Sequence, residues 1–69
     1  MATQIQNALT ILRRKQVQAR TGLSRSSIYL KISEGVFPQP VRLGARAVGW
    51  IEGEIDAWLV AQVEKSRKA

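Results

Sequence analysis

The sequence contains no cysteine and no histidine, and it has only five acidic residues against eleven Lys and Arg. Without cysteine there is no disulfide and no thiolate metal site, and without histidine the commonest metal ligand and general base are missing. No apolar run approaches the roughly 18 residues of a membrane span, and the N-terminus lacks the pattern of a signal peptide. We therefore expect a small cytoplasmic domain with no metal, no cofactor and no membrane partner.

The positive charge lies mostly in the first half of the chain. The formal net charge is +6, and residues 1–33 contain six Lys and Arg but no acid. The acids begin at Glu34. Such a one-sided basic field suits a polyanionic partner such as nucleic acid. Many small proteins are basic without binding nucleic acid, so charge alone does not decide the matter.

The first half of the chain predicts two short helices joined by a tight turn. The first is expected over 14–21 and ends at Gly22, which can take the left-handed conformation of a helix C-cap. Ser24 is a good N-cap for a second helix over 25–34, which Gly35 ends. This spacing is the helix-turn-helix pattern, although an ordinary amphipathic helical hairpin has the same signature.

The second helix has an apolar face and a polar face. Ile28 and Ile32 are four residues apart and therefore share the inward face, and Val17 and Ala19 are expected inward in the first helix. At about 100° per residue, the outward face of the second helix holds Ser26, Ser27 and Leu30, flanked by Arg25, Tyr29 and Lys31. Such donors can reach phosphates and base edges, whereas the alternative is a merely solvated face.

The next segment predicts a β-hairpin. Pro38 and Pro40 fix their own φ angles and keep the residues before them out of a helix. Short strands over 41–43 and 47–51 flank a turn that carries Arg46. An exposed Arg at a hairpin tip can reach a phosphate or the minor groove, as the wing of a DNA-binding domain does. A solvated surface Arg is the alternative.

A last helix is expected over 52–65, with an apolar stripe on one face. Its acids come first and its bases last, an order that matches the helix dipole. Glu52 and Asp56 have the i, i+4 spacing that acid–base or metal chemistry can use. No nucleophile or base accompanies them, so helix-dipole complementarity is the preferred explanation and we expect no enzyme.

Three aromatic residues, Phe37, Trp50 and Trp58, admit two interpretations. They could stack on single-stranded bases. Trp58 lies on the apolar stripe of the last helix and Trp50 alternates with Val48 on a strand, which favours the core, and Phe37 is expected there too. We expect one domain over 12–65, preceded by a flexible arm over 1–11 and followed by a basic tail over 66–69.

Taken together, these motifs resemble the AlpA family of phage regulatory proteins. The resemblance is carried by the runs Leu12–Val17, Thr21–Tyr29, Gly35–Gly44, Arg46–Trp50 and Glu54–Leu59. It implies a winged helix-turn-helix fold, mainly α with a small β-hairpin, similar to excisionases and MerR-like proteins. It also implies a sequence-specific transcriptional regulator on double-stranded DNA, located at the bacterial nucleoid, that controls prophage integrase or excision genes. An excisionase acting architecturally on attachment-site DNA and a protein-interaction module remain alternatives.

The resemblance and the charge pattern together suggest a DNA-binding site. By the likeness, the contacts of the recognition helix are Ser24, Arg25, Ser26, Ser27 and Tyr29, and the wing contact is Arg46. The charge pattern adds Arg14, Lys15 and Arg20 from the first helix and Lys31 from the second. The residue after Tyr29 is commonly basic in such proteins but is Leu30 here, which either contacts a thymine methyl or turns inward. A second copy of the chain on DNA is a further candidate partner, and no small-molecule ligand is evident.

Overall fold

The computed structural model describes residues 9–68, which form three helices and a three-stranded antiparallel sheet. In chain order the elements are β1 (Ile11–Leu12), α1 (Arg14–Thr21), α2 (Arg25–Ser33), β2 (Val41–Arg42), β3 (Val48–Ile51) and α3 (Glu52–Lys68). The strand order β1-β3-β2 places β3 in the middle of the sheet, and β3 also contacts α1 and α3. Within the described range no helix is long and apolar enough to cross a membrane.

The core is a single cluster to which all three helices contribute. Its buried apolar side chains are Leu12, Val17, Ile28, Phe37, Trp50 and Ile55. One comes from each helix, one each from β1 and β3, and one from the segment that follows α2. Because five of the six elements each supply a side chain to one cluster, displacing any of these five exposes apolar surface contributed by the others.

The segment between α2 and β2 is fixed by three aromatic side chains. The Trp50 indole N–H donates to the Pro38 carbonyl oxygen at 3.1 Å, and that of Trp58 donates to the Val36 carbonyl oxygen at 2.6 Å. The rings of Phe37 and Trp58 meet edge to face, with centroids 4.8 Å apart. Trp50 and Phe37 are buried and Trp58 packs against the core, so the core interpretation of the aromatics is confirmed.

The predicted helices and hairpin are confirmed, with one error in the assignment of faces. Val17 and Ile28 are fully buried, and Ile32 packs against the same cluster. Ala19 is exposed, so its predicted inward position is wrong. Two helical positions separate it from Val17, which turns it through about 200° and brings it to the opposite side of α1.

Both ends of the domain differ from the prediction. Ile11, assigned to a flexible arm, lies in β1 opposite Ile51. A strand of two residues has no detectable alternation in its sequence, so only its pairing with β3 reveals it. The last helix continues past its predicted end at Lys65 to Lys68, where basic side chains interact favourably with the helix dipole. The other predicted arm residues, 1–8, lie outside the described range.

Gly49 allows β1 to approach β3 closely. It is buried and faces Val41 across the β2–β3 pair. A Cβ atom placed on Gly49 would lie 3.0 Å from the Leu12 carbonyl oxygen and would overlap the Ile11 side chain. A larger residue here would therefore push the first strand away from the sheet.

Replacing Gly49 by Ala should destabilise the domain through this overlap. We expect Gly49→Ala to lower the free energy of unfolding by about 1–3 kcal/mol, the usual cost of overpacking. Gly53 is the matched control, since an added Cβ in this first turn of α3 meets nothing within 4 Å. Gly53→Ala should raise stability by about 0.5–1 kcal/mol through helix propensity. Urea denaturation measures both, and equal midpoints for the two variants would contradict the packing argument.

Candidate nucleic-acid interface

The turn between α1 and α2 is fixed by a cap on each side. Gly22 has φ 75° and donates its N–H to the Gln18 carbonyl oxygen at 2.8 Å, a left-handed C-cap that favours glycine. Ser24 caps the next helix, because its Oγ accepts the Ser27 N–H at 3.1 Å. Both caps are the ones that the sequence predicts, and they set α2 at a defined angle to α1.

The outward face of α2 is largely as predicted. Leu30 is 57% exposed, so the alternative in which it turns inward is wrong. Ser27, predicted on the outward face, and Lys31, predicted to flank it, are half-buried. The exposed members of the predicted recognition surface are Ser24, Arg25, Ser26 and Tyr29.

Arg25 and Tyr29 form a pair at the N-terminal end of α2. The guanidinium carbon of Arg25 lies 5.9 Å from the centroid of the Tyr29 ring, within the range of a cation–π contact. The contact restricts the rotamers of a long, exposed side chain. Arg25 is thereby held on the outward surface with its donors available to a ligand.

Ser24 and Ser27 differ in role from Ser26. The hydroxyl oxygens of Ser24 and Ser27 lie 3.1 Å apart, and the Ser24 hydroxyl also accepts the capping hydrogen bond. The structure therefore gives Ser24 a structural role in addition to its predicted place at the interface. Ser26 is exposed on the same turn and takes no part in the N-cap hydrogen bond.

A basic cleft of about 380 Å³ lies between the start of α1, α2 and the β2–β3 hairpin. Its lining residues are Arg13, Arg14, Lys15, Tyr29, Arg46 and Val48. Two predicted cations of the first helix, one residue of the recognition helix and the predicted wing residue thus meet in one place. No acidic side chain lines the cleft, so its field is positive throughout.

Arg13 belongs to this cleft, although the sequence analysis did not select it. Its Nε donates to the Val48 carbonyl oxygen at 3.1 Å, which ties the start of α1 to β3. Its backbone N–H donates to Gln16 Oε1 at 2.8 Å, as in one half of a capping box. The available signal was its place directly before Arg14 and Lys15, in a run of three basic residues.

The electrostatics of the α1 N-terminus favour an anion. The first turn of α1 contains no acid, and its cations lie at the positive end of the helix dipole, where positive charge is unfavourable. Arg14 Nε is buried and hydrogen-bonds to no atom of residues 9–68. Buried charged donors are costly when left without an acceptor. A phosphate oxygen in the cleft would relieve both costs.

Arg20 lies outside the cleft, in contrast to its predicted role as a phosphate contact. Its guanidinium donates to Glu52 Oε2 at 2.9 Å and to Asp56 Oδ1 at 3.0 Å. The hydrogen bond to Glu52, and next the one to Asp56, raise the pKa of Arg20 above its usual value. Arg20 thus forms surface ion pairs that link α1 to α3. The i, i+4 carboxylates hold this cation, in addition to complementing the helix dipole.

A helix-turn-helix with a basic hairpin beside it is a small winged helix-turn-helix domain, mainly helical with a small sheet. Within residues 9–68 no group of three or more acidic, histidine or cysteine side chains could hold a metal ion. The chain belongs to the family of the prophage CP4-57 regulatory protein (AlpA), whose model matches residues 10–63. The resemblance seen in the sequence is thus confirmed.

Two relatives show how far the similarity extends. The chain is 42% identical over 52 residues to the uncharacterized protein ORF88 of Enterobacteria phage P4, covering 75% of this chain and 59% of the phage protein. It is 41% identical over 59 residues to the DNA-binding transcriptional activator AlpA of Escherichia coli strain K12, covering 77% of this chain and 84% of that protein. The chain thus spans less than two thirds of the phage protein but most of the bacterial one.

The N-cap serine of α2 and the exposed serine two residues later should contribute differently to the stability of the domain. We expect Ser24→Ala to lower the free energy of unfolding by about 0.5–2 kcal/mol, because the N-cap hydrogen bond is lost. Ser26→Ala, a matched change at an exposed position two residues on, should stay within about 0.5 kcal/mol of the parent. Thermal or urea unfolding measures both. A Ser24→Ala variant as stable as Ser26→Ala would show that the cap contributes nothing.

Proposed function

We propose that this chain is a transcriptional regulator that binds double-stranded DNA. The observation that carries the proposal is the basic cleft, in which cations from α1 and from the hairpin converge beside an exposed helix. A winged helix-turn-helix domain uses such a helix in the major groove and its flanking cations on the phosphates. The Escherichia coli relative is a DNA-binding transcriptional activator, which supports the same function.

The cleft at the start of α1 is the proposed phosphate clamp. Arg14 and Lys15 bind the backbone there, and Arg13 assists while it remains attached to β3 through Val48. The positive end of α1 adds to their field. The Tyr29 hydroxyl, at the border of the cleft, donates to the same strand of DNA. Arg20 takes no part, since two carboxylates already hold its guanidinium.

The N-terminal turn of α2 is the proposed reading element. Arg25 is exposed and held over Tyr29, which suits a bidentate contact with the O6 and N7 atoms of guanine. The Ser26 hydroxyl can donate to or accept from a neighbouring base. Ser27 and Lys31, half-buried at the edges, reach the flanking phosphates. The base contacts select the DNA sequence, and the phosphate contacts fix the position of α2 in the groove.

The β2–β3 hairpin is the proposed wing. The N–H groups of Leu43 and Gly44 donate to the Ala47 carbonyl oxygen at 2.7 and 3.2 Å, so the turn that carries Arg46 is closed by its own backbone. Arg46 lines the cleft opposite the start of α1. It therefore contacts the phosphate backbone from the other side and positions the domain without reading bases.

The family, named for a prophage regulatory protein, and the relative from Enterobacteria phage P4 favour a setting in phage or prophage gene control. We infer that the chain regulates genes of an integrated element. A footprint on that element tests the inference. Protection of a promoter supports regulation, whereas protection confined to attachment-site DNA would indicate an excision factor.

The salt dependence of binding tests the clamp. Each neutralised phosphate contributes about −0.9 to the slope of log K against log[salt], so the four cleft cations together with Lys31 predict a slope of roughly −4 to −5. Arg46→Ala should flatten that slope by about one unit. Arg20→Ala is the matched control and should leave it unchanged, because Arg20 faces carboxylates.

Fluorescence anisotropy on a short duplex, titrated over a range of salt concentrations, gives all three slopes. A parent slope near zero would refute DNA binding. If Arg20→Ala flattens the salt slope as much as Arg46→Ala does, Arg20 also contacts DNA, and the distinction between the clamp cations and Arg20 is wrong.

Loss of the Arg25 side chain should relax specificity. We expect Arg25→Ala to weaken binding to the preferred duplex by about 1–3 kcal/mol, the usual value of a bidentate base contact. Binding to unrelated DNA should weaken much less. Arg25→Lys should fail to restore the preference, since an ammonium cannot reproduce the fork of a guanidinium. Competition binding with single-base variants measures this, and an unchanged ranking of the sites would contradict the assignment.

A further inference from the structure

We propose that Leu30 recognises the 5-methyl group of a thymine in the major groove, and is thereby a specificity-determining residue. The proposal rests on the proposed DNA-binding function and adds a base type to it. It predicts that the preferred DNA site contains a thymine whose methyl group contributes directly to affinity.

The position of Leu30 on α2 places it on the reading surface. Leu30 follows Ser26 by four residues, so the two side chains are neighbours on one face. Ile28 is fully buried on the opposite side and packs into the core. With 57% of its surface exposed, Leu30 projects from the same face as Ser26, one turn further along the helix.

The surroundings of Leu30 are polar, which argues for a very small apolar ligand. The residues three and four positions away along α2 are Ser26, Ser27, Ser33 and Glu34. The other large exposed side chain on this helix, Tyr29, has the Arg25 guanidinium against its ring. Along α2 no apolar side chain lies one turn from Leu30, so this helix alone does not offer the contiguous apolar area of a protein-docking site. The Leu30 side chain instead has the size and apolar character to contact a single methyl group.

The major groove offers one such group. Adenine, guanine and cytosine present hydrogen-bond donors and acceptors at their groove edges, whereas thymine adds a methyl at C5. A leucine side chain can make no hydrogen bond, so thymine is the base that it favours. The chemistry of the side chain thus selects the base.

The end of α2 limits how far the reading surface extends. The Ser33 hydroxyl donates to the Leu30 carbonyl oxygen at 2.7 Å, so that hydroxyl serves the last turn of the helix. Glu34, at the C-cap, carries a negative charge that DNA phosphates repel. Leu30 is therefore the last residue of α2 that can approach the bases.

The experiment removes the methyl group without altering any hydrogen bond. The full chain is used to select its preferred duplex from random-sequence DNA. Each thymine of that duplex is then replaced in turn by deoxyuridine. Affinities are measured for the parent, for Leu30→Ala, and for Val60→Ala, a control on α3 whose side chain is equally exposed at 57%. Thermal melting verifies that all three proteins are folded.

We expect one deoxyuridine substitution to weaken the parent and Val60→Ala about fourfold, the equivalent of one buried methyl group. Leu30→Ala should bind the thymine and deoxyuridine duplexes equally at that position. The proposal is overturned if no substitution affects the parent, or if Leu30→Ala keeps the full sensitivity. If the chain selects no duplex that it binds with salt-dependent affinity, the outcome contradicts the proposed DNA-binding function rather than the role of Leu30.

Discussion

The burial of Trp50 in the central strand is the interaction on which the rest of the domain depends. Its side chain is fully buried, and its indole N–H is satisfied by the Pro38 carbonyl oxygen. A polar atom left without a partner there would be costly, so the extended segment before β2 is fixed in place. Because β3 pairs with β2 on one side and contacts α1, the wing and the first helix share one support. The start of α1 and the hairpin, whose side chains line the basic cleft, are therefore both anchored to β3.

Arg20 and the cations of the basic cleft form two groups with different tasks. Arg20 faces the carboxylates of α3, where opposite charges satisfy one another. The cations at the start of α1 and at the hairpin line a cleft without acids. Charge paired with carboxylates of the same domain gives little net attraction for DNA, so only the second group contributes to the proposed phosphate clamp. The net charge of the chain by itself therefore overstates the number of phosphate contacts.

The start of α1 departs from the rules that otherwise govern this small domain. Elsewhere the helix ends follow local preference, with glycine and serine caps and with acids first and bases last in α3. At α1 three basic residues lie at the positive end of the helix dipole, and Arg14 Nε is buried without an acceptor in the described residues. Such local conflicts concentrate at functional sites. The conflict thus supports the proposed anion site independently of any relative.

The sequence by itself determined the helices, their caps, the buried stripe of each and the family, because periodicity and capping involve residues close together in the chain. It also indicated the recognition helix and Arg46. Only the tertiary structure decided the rest. The two-residue β1 exists through its pairing with β3, and Arg13 is drawn into the cleft by Val48, 35 positions away. Arg20 is paired with Asp56, 36 positions away. These outcomes depend on contacts between distant segments, and no local pattern records which charges will meet once the core has closed.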